Sequence, residues 1–246
     1  MSDYLPSLQK SSSGSGVKGM GKTDIHKLPL GNCNCYLIKQ EGLVLVDTGF
    51  PNQKDNFLRR LEELSIAPKD ISLILLTHGH YDHIGSAADL RKLTGAKIVI
   101  NYRERDWVEQ ALKRLPPGIG FPGKVVALMT RVMALMVEFP RCPVDLVLED
   151  EAFSLRPFGI EGTVLYTPGH TWGSMSVLLD TGDAFVGDLA MSVMPLRFNS
   201  GMPSLGDDRN TVKESWRLLL DNGAGTIHPA HGHSFSADVL KKGLSG

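Results

Sequence analysis

The chain has 246 residues, enough for one large domain or two small ones with a sizeable core. Its 26 basic and 27 acidic side chains give a formal net charge of −1, which argues against a general attraction to nucleic acid or to anionic membranes but leaves room for a local basic patch. Three cysteines and no run of roughly 18 apolar residues favour a cytoplasmic protein without stable membrane insertion.

The first 21 residues have a composition that cannot bury a core. They contain the run SSSGSG, which is typical of flexible chain. We therefore expect residues 1–21 to be a disordered tail and residues 22–246 to form the folded domain, with globular sequence beginning near Thr23.

Alternating strands and helices are predicted in the first half of the chain. The stretch CYLIKQEGLVLVDTG indicates two strands that meet at Glu41-Gly42. Apolar side chains at helical spacing predict a helix over about 54–64, and the apolar run ISLILL indicates a strand covered on both faces. A second helix is predicted over about 84–93, ending at Gly95, and AKIVI supplies the next strand.

The second half repeats this order more loosely. Strands are indicated by TVLYTPGH, SMSVLLD, DAFVGD and GTIHPAHGH, and a helix is predicted over about 208–221 with Trp216 and Leu219 facing inward. Five of the eight histidines come just after a predicted strand, namely His78, His80, His83, His170 and His231. Ligands of open α/β sheets bind outside strand ends, so we expect one shared site.

An apolar insertion at about 116–143 separates the two halves. A helix is predicted over about 124–139, with charges only at Lys124, Arg131 and Glu138, so we expect it to be buried on more than one side. The favoured interpretation is a core element or a homodimer contact. A lid over an apolar acyl substrate is the second interpretation, with flexible methionines on its inner wall: Met129, Met133 and Met136. Membrane-surface binding is the least favoured, because the insertion has few basic residues.

The stretch LLTHGHYDHIG concentrates metal-binding side chains. If the chain stays extended from Thr77 to His80, the side chains of His78 and His80 project to the same side. Asp82 and His83 follow as the backbone turns into a helix. A catalytic zinc ion takes three protein ligands, so these four residues and the later candidates His170, Asp188 and His231 exceed the need of one ion. The surplus indicates two ions.

The order of these motifs resembles the metallo-β-lactamase superfamily. HGHYDH is followed by TPGHTWGS, VGD and PAHGH, and VDTG at residues 46–49 matches an early motif of that family. The resemblance implies an α/β fold, a four-layer αββα sandwich of two mixed β-sheets flanked by helices. It also implies a ligand set: His78, His80 and His170 for the first ion, Asp82, His83 and His231 for the second, Asp188 as a bridge, and Asp47 as a support that orients the ligand loop.

The resemblance implies hydrolysis as the reaction. Its metal motifs are similar to those of glyoxalase II and of quorum-sensing lactonases, which implies two Zn²⁺ ions per chain, with iron or manganese as alternatives. A metal-bridging hydroxide would attack a small-molecule ester, thioester or lactone, with Asp82 as a proton carrier. The alternatives are a mononuclear iron persulfide dioxygenase and a phosphodiesterase. A non-catalytic binding module is least favoured, because no ligand position is lost.

Three further side chains are candidates for the substrate pocket. Tyr166 and Trp172 flank His170, and Arg197 in the loop after Asp188 is a candidate anchor for a substrate carboxylate, with a surface salt bridge as the alternative.

Cys33 and Cys35 lie two residues apart on a predicted strand, so we expect buried thiols on one face. His233 is expected to be exposed.

Overall fold

Two β-sheets lie face to face between layers of helices in the computed structural model, which describes residues 22–192 and 201–245. The predicted tail at 1–21 and Arg197 lie outside the described residues. The predicted αββα sandwich of mixed sheets is therefore confirmed.

The first sheet comes from the N-terminal half of the chain. Its six strands lie side by side in sequence order, namely β1 (Asp24–Leu30), β2 (Cys33–Lys39), β3 (Leu43–Val46), β4 (Leu73–Leu75), β5 (Lys97–Asn101) and β6 (Leu146–Leu148). β1, β2 and β3 pair antiparallel, whereas β3 to β6 pair parallel. The parallel strands bring their carboxyl ends to one edge.

The second sheet comes from the C-terminal half. Its strands also follow sequence order, namely β7 (Phe153–Ser154), β8 (Gly162–Tyr166), β9 (Met175–Leu179), β10 (Asp183–Gly187), β11 (Thr226–Pro229) and β12 (Phe235–Ser236). β10 and β11 pair parallel, and the remaining pairs are antiparallel. β10 and β11 therefore end at the same edge.

Seven helices surround or connect the sheets in the described part of the chain. They are α1 (Lys54–Glu63), α2 (Tyr81–Ile84), α3 (Ala87–Thr94), α4 (Arg105–Glu109), α5 (Gly120–Ala134), α6 (Arg209–Asp221) and α7 (Asp238–Leu244). None of the helices described is both long and apolar enough to span a membrane.

The alternation of side chains along each strand separates the core into layers. Val46 of β3 packs between the sheets together with Phe185 of β10. The neighbouring Leu45 points to the opposite face and packs with Phe57 of α1. On the far side of the second sheet, Trp216 of α6 is fully buried. Both faces of each sheet are covered, which explains the apolar strand sequences.

Most predicted elements are present, with differences at their ends. The helix predicted over 54–64 is α1, and the helix predicted over 208–221 is α6, with Asp208 as its N-cap. The helix predicted over 84–93 is divided into α2 and α3, and α3 ends at Gly95 in a left-handed conformation. The short strands β6, β7 and β12 escaped prediction because two or three residues carry no periodicity.

The helix of the insertion differs from the prediction in position and in burial. α5 begins and ends earlier than the predicted range of 124–139. The expected burial on more than one side is wrong, since Leu135 and Met136, just after the helix, are each 80% exposed. α5 contacts the domain along one side, where Ala127 and Ala134 are buried. An apolar circumference leads to burial only when neighbouring elements exist to cover it.

Candidate metal centre

The histidines predicted as ligands converge where the strands of both sheets end. β4 leads into the loop that carries His78 and His80, and β8 leads into the loop that carries His170. β10 is followed by Asp188, and β11 by His231. All five of these side chains are buried. The fold thus brings polar side chains that are distant in sequence to one point.

Three imidazole rings form the first group of donors. The Nε2 atom of His78 lies 2.9 Å from Nδ1 of His80, and Nε2 of His170 lies 3.0 Å from the same atom. A tetrahedral ion with Zn–N bonds of about 2.0–2.1 Å separates its nitrogen ligands by roughly 3.3 Å. The three nitrogens therefore lie at about the spacing of ligands of one ion.

A second group contains two imidazoles and a carboxylate. Asp82, His83 and His231 offer donor atoms that lie within 4.8 Å of one another, and Nε2 of His231 is 3.4 Å from Oδ2 of Asp82. Asp188 lies between the two groups, with one carboxylate oxygen 3.5 Å from Nε2 of His170 and the other 3.4 Å from Nε2 of His83. The Asp188 carboxylate therefore lies within 3.5 Å of donor atoms of both groups.

Two buried atoms at the centre of the site have no hydrogen-bond partner. Among the described residues, Nε2 of His83 and Oδ1 of Asp188 are fully buried and unpaired, although they lie only 3.4 Å apart. A buried polar atom without a partner is destabilising by about 1–3 kcal/mol, so such atoms are rare. Coordination of a cation between these two atoms would satisfy both, and the donor set fits a metal.

Four of the rings are also fixed through the nitrogen that faces away from the site. Nδ1 of His170 donates to the carbonyl of Leu205 at 3.0 Å, and Nδ1 of His231 donates to the carbonyl of Asn32 at 2.9 Å. A carbonyl oxygen only accepts, so Nδ1 carries the proton and Nε2 is free to bind a metal when the ring is neutral. His83 and His78 are held in the same way, by Asp47 and Thr77 respectively.

Asp47 connects two parts of the ligand loop. Its Oδ1 accepts a hydrogen bond from the Thr77 backbone N–H at 2.7 Å, and its Oδ2 accepts one from the Thr77 hydroxyl at 2.9 Å. Oδ2 also lies 2.8 Å from Nδ1 of His83. The backbone of Asp47 has a φ of 61°, a left-handed conformation that aspartate tolerates better than most residues. Both carboxylate oxygens are therefore used for orientation.

The two groups differ in their electrostatics. Burial and the neighbouring rings lower the pKa of His78, and burial with His170 lowers the pKa of His80 to about 3, so both rings are neutral donors. In the second group, burial alone would lower the pKa of His231, but Asp188 and Asp82 raise it to about 9. The carboxylates thus favour positive charge at that point, which a metal cation would supply.

The buried carboxyl group of Glu104 was not foreseen from the sequence. One oxygen accepts a hydrogen bond from the Gly79 N–H at 2.5 Å, and the other accepts one from the Gly173 N–H at 3.1 Å. Gly79 belongs to the His78 loop and Gly173 to the His170 loop, so Glu104 joins the two loops. Burial raises the pKa of Glu104 to about 7. The only sequence signal was its position just after β5, at the same sheet edge.

A cavity of about 230 Å³ extends from the donor groups to α5. Asp82, Asp188 and three of the histidines line one end of this cavity. Apolar side chains of α5 line the other end, among them Val126 and two of the predicted pocket residues, Met129 and Met133. The cavity therefore joins a polar, donor-rich end to an apolar wall.

Other predicted pocket residues lie elsewhere. Met136 follows the end of α5 and points into solvent. The Tyr166 hydroxyl donates to the carbonyl of Trp172 at 2.8 Å, and its ring packs against the guanidinium of Arg103. Tyr166 and Trp172 are thus close to His170 in sequence but are not among the residues that line the cavity.

The remaining cysteines and histidines of interest lie outside the donor groups. Cys33 and Cys35 are both buried and free, as predicted from their spacing on one strand. His233 is exposed. His228 lies on β11, where its ring stacks on Phe185 and its Nε2 is 2.8 Å from the Asp183 carboxylate. Neither His233 nor His228 belongs to the donor groups.

Comparison with known proteins gives the family. The model of the metallo-beta-lactamase superfamily matches residues 28–231. The probable metallo-hydrolase YflN of Bacillus subtilis is 29% identical over 202 residues, which cover 78% of this chain and 73% of YflN. Hydroxyacylglutathione hydrolase GloC of Haemophilus influenzae is 24% identical over 164 residues, which cover 64% of this chain and 66% of GloC.

Among solved structures, TTHA1623 in a di-iron-bound form superposes with a TM-score of 0.62 at 25% identity, covering 87% of this chain and 94% of TTHA1623. The fold, the donor groups and the sequence match agree with one another. Because the family model spans most of the sequence, the chain belongs to the metallo-beta-lactamase superfamily of metallo-hydrolases.

Proposed function

We propose that the chain is a dinuclear metallo-hydrolase that cleaves an ester, thioester or lactone with an apolar acyl group. The observation that carries this proposal is the cavity, because one end offers two groups of metal donors that share Asp188 and the other end is apolar. A hydrolase of this kind needs both ends: donors at the scissile bond and an apolar wall for the acyl group.

The proposed roles of the donors follow from their grouping. His78, His80 and His170 would hold one ion, and Asp82, His83 and His231 would hold the second. Asp188, which lies between them, would contact both. Zinc is proposed because imidazole and carboxylate suit it, with iron or manganese as the alternatives. The di-iron form of TTHA1623 supports two ions in such a site and keeps iron open.

When bound, divalent ions would lower the pKa of a water molecule and polarise the substrate carbonyl. The chain's own residues prepare the site for this chemistry. Asp47 and the backbone carbonyls fix the imidazole orientations before the substrate arrives. Asp82 is only half-buried on the cavity wall, which makes its carboxylate the acceptor best placed to carry a proton between the site and solvent.

The preference for an acyl substrate rests on the lining of the cavity. Val126, Met129 and Met133 come from α5, Met191 comes from the segment after Asp188, and Leu205 comes from the segment before α6. Methionine side chains adapt to ligands of different shape. The name of the relative GloC describes hydrolysis of an acylated glutathione, which supports a thioester within the proposed class.

The proposed cellular location is the cytoplasm. All three cysteines of the chain, Cys33, Cys35 and Cys142, are free and buried. Burial raises the pKa of each thiol, which keeps it protonated and unreactive. Thiols that stay free are typical of a reducing compartment.

Elemental analysis of protein purified without added metal tests the proposal. We expect about two transition-metal ions per chain, the number that two separate donor groups would bind. The same protein should hydrolyse members of a panel of acyl esters, thioesters and lactones, and treatment with a chelator should abolish that hydrolysis. One iron per chain with oxygen consumption would instead establish the dioxygenase, and activity confined to phosphodiesters would contradict the acyl substrate.

A further inference from the structure

We propose that α5 is a docking surface for an anionic lipid surface. The α5 outer face is defined here by Phe121, Val125, Leu128, Val132, Leu135 and Met136. Through this face the protein would rest on the lipid, and the acyl substrate would enter the cavity from it. The entry of substrate rests on the proposed function, whereas the docking itself does not.

Exposed apolar side chains are concentrated on and just after α5. Within residues 121–136, eight large apolar side chains are between 48% and 81% exposed. Elsewhere in the described part of the chain, only Tyr102 and Trp172 reach this range, and Leu218 is 38% exposed. Single exposed apolar residues are normal on protein surfaces, but a contiguous apolar patch marks an interaction site.

These exposed side chains lie away from the side of the helix that contacts the domain. Ala127 and Ala134 are buried against the domain and lie seven positions apart, so they share one side of α5. At about 100° per residue, Val125 and Val132 lie on the opposite side, and Leu128 and Leu135 lie about a quarter turn from the buried alanines. The helix thus meets the domain through small residues and presents its large apolar ones outward, parallel to the surface. An exposed apolar side of this kind is suited to lie in a lipid interface, while the domain covers the other side of the helix.

The segment around α5 is basic. Residues 113–141 contain five basic side chains, Lys113, Arg114, Lys124, Arg131 and Arg141, and a single acidic one, Glu138, although the whole chain has a net charge of −1. All five basic residues are exposed, although the Lys113 ammonium is engaged by carbonyls at the end of α5. Lys124 and Arg131 lie seven positions apart, at one edge of the α5 outer face. A basic rim beside an apolar face complements anionic lipid headgroups, each charge contributing about 1 kcal/mol.

The same charges argue against a second copy of the chain as the occupant. In a two-fold dimer each patch meets the same patch on its partner. Two copies of the α5 outer face would therefore bring the basic residues of both copies to one interface, with one glutamate in each segment to offset them. Like charges facing each other are destabilising, whereas an anionic surface is attracted by all of them.

The α5 outer face is continuous with the cavity. Met129 and Met133 line the cavity and are also 62% and 48% exposed. They form an apolar path from the α5 outer face to the donor groups. An acyl chain could pass along this path from a lipid phase without being exposed to water, which is unfavourable by about 0.8 kcal/mol per CH₂ group.

The helix is also held in position before it meets a lipid. The Lys113 ammonium donates hydrogen bonds to the carbonyls of Ala134 and Val137, at 3.1 and 2.8 Å. These carbonyls lie at and just after the end of α5, where a cation is favourable. Gly123 approaches the Ser204 carbonyl so closely that an added Cβ would lie 2.2 Å from it. The docking surface therefore needs no folding step on binding.

Vesicle flotation with the full chain tests this proposal. The probes are vesicles of phosphatidylcholine alone and vesicles that also contain phosphatidylglycerol, at about 1 mM lipid. We expect binding to the anionic vesicles, at least about fivefold weaker binding to the neutral ones, and release at high salt, which screens surface charge. Absence of binding to the anionic vesicles would overturn the proposal.

Matched variants locate the surface. Leu128→Glu combined with Leu135→Glu should weaken binding at least about tenfold, because each places a carboxylate in the apolar face. The control is Leu218→Glu, at an exposed leucine of α6, which should bind as the unmodified protein does. Equal binding by the double variant would overturn the proposal. A dimer that the double variant converts to monomer would also overturn it, because a second copy would then occupy the face.

A further readout separates this proposal from the proposed function. Neither Leu128 nor Leu135 lines the cavity, so the double variant should hydrolyse a short, water-soluble acyl ester at the unmodified rate. Hydrolysis of an acyl substrate embedded in vesicles should fall with vesicle binding. Vesicle binding by a protein that hydrolyses no acyl substrate would leave docking intact and contradict the proposed function alone.

Discussion

The ligand loops and α5 border the same cavity, but they are stabilised in different ways. In the loops, each imidazole is buried and most are fixed from behind, as His170 is by the carbonyl of Leu205. α5 meets the domain through Ala127 and Ala134, and its larger side chains lie in solvent. The loops depend on hydrogen bonds with defined geometry around each ligand, whereas α5 depends on the packing of small residues and on the Lys113 hydrogen bonds at its end.

This difference indicates a division of labour. Metal donors must be held within a fraction of an ångström, because a displaced ligand weakens the ion and the reaction together. A surface that accepts flexible acyl chains or lipid needs apolar area but no fixed partner atoms. We therefore expect substitutions in the loops to act strongly on metal and activity, and substitutions on α5 to act weakly on stability.

The largest effect should come from the loops. His80→Ala removes the ring whose Nδ1 lies near both His78 and His170. Bound metal should fall, and hydrolysis should decrease by at least about 10²-fold, the usual loss when one electrostatic stabiliser of the transition state is removed. Metal content, kcat/KM and circular dichroism would be measured, with the fold expected to survive.

The control for this variant is His233→Ala. His233 is exposed and lies two positions beyond His231, yet it belongs to neither donor group. Its removal should leave metal content and activity unchanged. Full activity of His80→Ala with unchanged metal would refute the proposed metal centre.

A smaller effect is expected when the support of a ligand is changed instead of the ligand. Asp47→Asn keeps one oxygen that can accept a hydrogen bond from Thr77, but it replaces the other oxygen by an N–H₂ group. That group is a donor and would face a second donor, which is either Thr77 or the ring of His83. Metal affinity should fall by about 10–100-fold. Competition with a chromophoric chelator measures this, and Asp55→Asn on the exposed side of α1 is the control. Equal affinities would show that Asp47 is dispensable.

Glu104 offers a test through pH, because it joins the two loops without being a proposed ligand. Its pKa of about 7 in the folded protein lies above the ordinary 4.5, since burial disfavours the charged form. The folded state thus holds more protons than the unfolded state in this window, and its stability should fall as pH rises from 4.5 to 7. The slope would be up to about 1.4 kcal/mol per pH unit.

Glu104→Gln cannot titrate and should lack this contribution. Urea denaturation of the chelator-treated protein at several pH values within this window would give the free energy of unfolding of both forms. The difference between the two curves isolates Glu104, because all other groups titrate in both. Parallel curves would contradict the raised pKa.

The donor groups could be predicted from the sequence because their spacing is local. His78 and His80 alternate on an extended segment, and a helix follows that brings Asp82 and His83 back to the same point. The contribution of His170, Asp188 and His231 followed from their positions after strands, since strand ends meet at one sheet edge. Backbone geometry therefore predicts that these side chains meet, whereas their division into two ligand sets came only from the family resemblance.

Glu104 and α5 could not be predicted because each depends on tertiary contacts. Glu104 acts through the backbone N–H groups of Gly79 and Gly173, which have no sequence signature. Periodicity shows that α5 is apolar around its circumference, but it does not show which neighbours are present to cover it. The burial expected for this helix was wrong for that reason.

The smallest effect should come from the α5 outer face. Leu135 is 80% exposed, so Leu135→Ser should change the free energy of unfolding by less than about 0.5 kcal/mol. Leu219→Ala is the comparison, because Leu219 is fully buried under the second sheet and its truncation should be destabilising by about 2–5 kcal/mol. Urea denaturation without lipid measures both. A cost for Leu135→Ser close to that for Leu219→Ala would mean that the α5 outer face is covered in solution. The contrast between hydrogen-bonded loops and an exposed apolar helix would then be wrong, because a leucine contributes that much to the free energy of unfolding only when its side chain is buried.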